Sequence, residues 1–133
     1  MGSWGTDVFE SDDAADLVAD LAEATDAAAL LQAAMAAALD RDGYVEQPET
    51  AAGLAAAALV ACAVGGHRPG SGSAQELLDA GRVPVTEQLR ELARAVLDRG
   101  LADDATEWAE LWAEAGELDD ARQHLRVHRA LLG

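Results

Sequence analysis

Residues 49–64 read ETAAGLAAAALVACAV, and their character decides the fold. After Glu49 no charge interrupts the run, and Ala, the strongest helix former, dominates it. Pro48 just ahead suits the first position of a helix, where its missing N–H is no loss. The pattern predicts a helix over about 49–64. A helix that is apolar all round must be covered all round, so this one should be the central, most buried element. Its side chains mostly end at Cβ, which lets neighbouring helices approach closely. As a membrane span, the stretch GLAAAALVACAVGG (53–66) is too short and too poor in Leu.

Helical periodicity continues on both sides. Ala14, Leu17, Val18 and Leu21 form an apolar stripe over about 13–24, with Asp12, Asp16, Asp20 and Glu23 facing the other way. A second helix is expected over 26–39, with Leu30, Leu31, Ala34, Met35 and Ala38 inward. The turn DRDGYVEQPE (40–49) follows, with Gly43 as its expected left-handed cap. Downstream, GGHRPGSGS (65–73) reads as a flexible surface loop, followed by a short helix over 74–80. A helix over 86–99 buries Leu89, Leu92, Ala93, Val96 and Leu97, with Gly100 as its stop. Another over 104–115 turns Trp108, Leu111 and Trp112 inward and stops at Gly116. The last, 119–132, runs through Ala121, Leu125 and Leu132. The expected architecture is all-α: one compact domain over 1–133, a bundle of five to six helices with an aromatic anchor at its N-terminus.

Composition agrees. Of 133 residues half are hydrophobic, Ala being the commonest, and only 4 % are aromatic. The nine basic residues are all Arg, and 25 acids bring the net charge to -16. Such a field repels phosphates and anionic lipid, which argues against nucleic-acid or membrane partners. The charge is uneven: residues 1–65 hold twelve acids against Arg41 alone. The natural partners of that half are cationic: a basic protein surface, or metal ions. Cys62 is the single cysteine, so no internal disulfide forms, and no secretory pattern opens the chain. The expected location is cytoplasmic.

Several motifs invite a functional reading. DDAAD, with Asp12, Asp13 and Asp16, has the spacing by which carboxylates share magnesium and a diphosphate. Yet the Asp-Asp-Ala element returns at Asp103–Asp104 and Asp119–Asp120, each time where a helix should begin. Helix capping and compensation of the helix dipole explain all three copies. Asp120, His124 and His128 lie at successive i, i+4 steps and are the residues on which a metal site would be built. No fourth ligand accompanies them, and His128 continues the Ala121–Leu125 core stripe. Cys62 sits in an apolar helix, where burial makes a thiol inert. MGSWGT fits a myristoylation pattern, but one acyl chain beside so many acids anchors poorly. Trp112, Gly116, Leu118, Ala121 and Leu125 echo a tetratricopeptide hairpin without its period.

The opening WGTDVFESDDAADLVADL remains. Trp4 and Phe9 are expected to fold back onto the bundle as a hydrophobic anchor ahead of the first helix. This stretch resembles the start of the domain of unknown function 4259 family, through Trp4, Gly5, Phe9, Asp13, Ala14 and Asp16. The likeness continues at Tyr44, Glu46 and the Ala-rich helix, then at Glu107, Leu111, Trp112 and Glu114. Many members of that family carry a Glu where this chain has Ala58. The resemblance implies a small bacterial protein and no activity.

These features favour a non-enzymatic interaction protein, of an immunity or regulatory type, with no cofactor and no catalytic or metal residues. Its contact face is expected to be Asp12, Asp16, Asp20 and Glu23, directed at a basic protein. The alternative is a metal-dependent enzyme built on the helix carboxylates or on Asp120, His124 and His128.

Overall fold

A computed structural model of the chain describes residues 8, 9, 11–39, 47–69, 72–102 and 106–133. Trp4, Gly43, Tyr44, Asp103 and Asp104 lie outside them. The described residues form seven helices: α1 (Asp12–Glu23), α2 (Ala27–Ala38), α3 (Gln47–Gly65), α4 (Gly72–Asp79), α5 (Glu87–Ala102), α6 (Glu107–Glu114) and α7 (Leu118–Leu132). No strand occurs among them. The fold is all-α as expected, with the short α4 raising the count above five to six.

The apolar run 49–64 lies within α3, and this helix is central. It packs against α2, α5, α7 and α1, with α6 and α4 at its margins. Leu54 to Cys62 is buried without a break. At 19 residues α3 is longer than its sequence pattern indicated. The expectation that the stretch 53–66 is too short and too poor in Leu to span a membrane needs correcting. The helix extends past that stretch to Gln47, and Pro48–Gly65, at mean hydropathy 1.5, reaches the length and composition of a span, with 67 % of it covered inside the fold. Its small residues set the helix spacing. Gly53 meets α2 so closely that a Cβ added there would stand 2.3 Å from the Ala38 Cβ.

The helix ends show where the aspartates act. Ser11, not an aspartate, caps α1: its Oγ accepts from the Ala14 N–H at 3.1 Å, while Asp12 and Asp13 occupy the first turn. Thr106 and Asp26 cap α6 and α2 in the same way, accepting from Ala109 and Ala29. Asp119 and Asp120 lie in the first turn of α7, where Glu117 makes no side-chain cap. The doubled aspartates therefore complement the helix dipole more than they cap.

Helix C-termini are held by arginine. Arg99 donates to the Ala38 carbonyl at 2.9 Å, Arg122 to Gly100 at 3.0 Å and Arg94 to Leu132 at 3.0 Å. Arg82 donates likewise to the carbonyl of Ala22 at the end of α1. Carbonyls left over in a last turn carry partial negative charge, and a guanidinium satisfies both needs together.

Two further expectations need correcting. Gly100 does not stop its helix, since α5 continues to Ala102. Its role is contact: an added Cβ would meet Leu125 Cδ1 at 2.8 Å and Leu54 Cδ2 at 3.0 Å. Leu111 does not turn inward but is 48 % exposed. Trp108 and Ala109 are buried and Trp112 packs beside them, which fixes the inward direction of α6. Leu111, one residue before Trp112, is rotated roughly 100° away from it. Gly116 does end α6, at φ +73°, with the Glu117 N–H closing onto the Trp112 carbonyl.

Candidate functional site

The face that the charge pattern singled out is built on α1. Ala14, Leu17, Val18 and Leu21 bury one side of this helix against the core. That orientation places Asp12, Asp16, Asp20 and Glu23 on the outside, all four exposed. Asp12, Asp16 and Asp20 succeed one another by one turn. Like charges at i, i+4 each destabilise a helix by about 0.2–0.5 kcal/mol, so the row is held against its own repulsion.

Beside this row runs a groove of about 400 Å³ between α1 and α4. Phe9, Val18 and Leu77, all buried, form its floor. Ala15, Ala19 and Ala22 make the α1 wall, and Ser73, Glu76 and Ala80 the opposite one. Arg82 closes one end, next to the Ala22 carbonyl that it contacts. Each wall alanine of α1 is followed directly by an acid: Ala15 by Asp16, Ala19 by Asp20 and Ala22 by Glu23. The carboxylate row therefore follows the groove along its length, about 100° around the helix.

Asp120, His124 and His128 are not brought together. Asp120 is exposed, His124 is half-buried and His128 is 5 % exposed, turned to the core. Among the described residues no three His, Cys, Asp or Glu side chains converge as metal ligands do. His128 instead meets α3, its Nδ1 3.9 Å from Cys62 Sγ. The rings of Phe9 and His67 stand edge-on to it, with centroids at 5.9 Å and 6.1 Å.

This Cys62–His128 pair is not legible from any single motif. The two residues are 66 positions apart, and the only signal was His128 on the Ala121–Leu125 stripe. A thiol beside an imidazole has the elements of a nucleophile and its base. Cys62, however, is only 1 % exposed and leaves a substrate no approach. The arrangement suits a buried polar contact joining α3 to α7. Cys62 is accordingly expected to resist Ellman's reagent in the native protein and to yield one equivalent once denatured. Rapid labelling without denaturant would contradict its burial.

Phe9 thus serves two sites at once, packing on His128 and flooring the α1–α4 groove. The anchor role expected for it is met in that buried position.

A family model described as "Domain of unknown function (DUF4259)" matches residues 2–124. No curated protein matches the chain, and no solved structure does.

Proposed function

Because the chain belongs to the DUF4259 family, whose description assigns no activity, we propose a function from its surface: a non-enzymatic interaction module that docks a basic protein through α1. The observation carrying this reading is the row of Asp12, Asp16, Asp20 and Glu23, exposed together along an open groove. Complementary charge steers encounter and selects among partners, while apolar contact at the centre of an interface supplies most of the affinity. Row and groove provide both kinds of surface side by side. The net charge of -16 extends the steering field well beyond the four residues. An immunity-type or regulatory role, in which an acidic protein covers a basic one, accords with this chemistry.

The test is affinity capture from a lysate of the native host. The protein is compared with a variant carrying Asp12→Asn, Asp16→Asn, Asp20→Asn and Glu23→Gln. We expect the natural chain to retain a basic protein, with retention falling as salt is raised. The variant should recover it roughly tenfold less well, the lower end of the effect of electrostatic steering on encounter. Equal recovery by both would reduce the acidic row to a solubilising surface.

A further inference from the structure

We infer that the α1–α4 groove receives one face of a cationic amphipathic helix presented by the partner. This inference rests on the docking role just proposed and specifies the partner's chemistry.

The groove lies between two helices, so it has no sheet edge on which an extended peptide could pair. An occupant must therefore satisfy its own backbone hydrogen bonds, which an α-helix does and an extended strand does not. The α1 wall is suited to a helix. Ala15, Ala19 and Ala22 recur at i, i+4 and i+7 with no atom beyond Cβ, leaving a smooth channel into which larger side chains can settle. Beneath them the apolar floor offers Val18 and Leu77 to those side chains. Over its 12 residues α1 is about 18 Å long, room for roughly three turns of an occupant.

The rim determines the charge. A helix seated in the groove brings one flank toward Asp16 and Glu23, which lie just outside its α1 wall, with Glu76 in the opposite wall. Neutral or acidic flanks would strip water from these carboxylates without replacing it, whereas Lys or Arg would pair with them. Arg82 supplies polarity. Its guanidinium stands at the Ala22 end of the groove, so the occupant's helix should end there, its partial negative C-terminus against that cation.

The test uses the full chain and three synthetic peptides, with binding measured by calorimetry. The first peptide places Leu at i, i+4 and i+7 and Arg on both flanks. The second has the same composition scrambled to abolish the apolar face, and the third replaces Arg by Glu. We expect the patterned cationic peptide to bind at least tenfold more tightly than the scrambled one, and the acidic peptide not to bind. Ala19→Trp fills the groove and leaves every carboxylate in place; it should erase the advantage of the patterned peptide. Ser73→Trp, on the opposite wall, gives the same readout should Ala19→Trp lose its helical circular dichroism. The fourfold Asn/Gln variant should weaken both cationic peptides and preserve the ratio between them.

Equal binding of the patterned and scrambled peptides, unaffected by either Trp, would overturn the groove and leave the acidic docking face standing. Binding that emerges only in a Trp4→Ala variant would assign the groove to the chain's own first residues and also overturn the inference. If no cationic peptide binds, the groove assignment fails, and host-lysate capture decides the docking role independently.

Discussion

Replacing Leu54 by Ala is expected to lower the free energy of unfolding by about 3–5 kcal/mol, the upper range for truncating a buried leucine. Leu54 is 1 % exposed at the crossing of α3 with α5. The lost transfer energy is only part of the effect. A cavity opened beside α3 cannot readily close, because α1, α2, α5 and α7 already grip that helix from several directions. Small domains are stable by only about 5–15 kcal/mol, so the loss should be plain in a urea midpoint or a melting curve. Leu111→Ala is the natural comparison. At 48 % exposure it should change stability by no more than about 0.5 kcal/mol. Similar losses for the two substitutions would contradict the packing described for α3 and α6.

Gly53→Ala should reverse the usual sign of its substitution. Within a helix, Gly to Ala ordinarily stabilises by roughly 0.5–1 kcal/mol. Here the new methyl would lie 2.3 Å from the Ala38 Cβ and 3.1 Å from the Ala34 carbonyl oxygen. Neither neighbour can rotate aside, since both are fixed to the α2 backbone, so the two helices must separate. Overpacking of this kind costs about 1–3 kcal/mol or more, and a 2.3 Å approach belongs at the top of that range. We expect a net loss of about 2 kcal/mol in chemical denaturation. Gly72→Ala, with nothing within 4 Å of its new methyl, should be neutral or slightly stabilising. A Gly53→Ala protein as stable as the parent would mean that α2 and α3 lie farther apart than described.

Legibility in the sequence followed the strength of the periodic signal. The stripes of α1, α2 and α5 placed their inward residues correctly, because each repeats over three turns or more. In α6, with only eight residues, Trp108 and Trp112 alone could not tell which flank continued the core, and Leu111 went to the wrong side. Gly100 failed for a different reason. A glycine near a helix end reads as a stop, but its contacts with Leu54 and Leu125 come from α3 and α7, distant in the chain.

The candidate site divides in the same manner. The carboxylates of α1 share one element, so their common face was legible from spacing. The groove beside them required α4, whose approach to α1 leaves no trace in either segment. The Cys62–His128 contact is likewise a meeting of distant helices, and local spacing paired His128 with His124 instead. What a single helix determines could be read; what two helices make between them could not.

The central place of α3 also has a consequence in time. Its partners lie on both sides of it along the chain: α1 and α2 are made before it, α5 and α7 after it. Roughly 70 residues separate the end of α3 from the end of α7, and at ribosomal rates of about 5–20 residues per second these take roughly 4–14 s to appear. During synthesis α1 and α2 can already lean on the newly made helix, while the sides awaiting α5 and α7 remain bare. For those seconds the nascent chain displays to ribosome-associated factors an 18-residue segment of mean hydropathy 1.5. The helix that the finished fold covers on every side is one whose covering cannot be completed until the last helix is made.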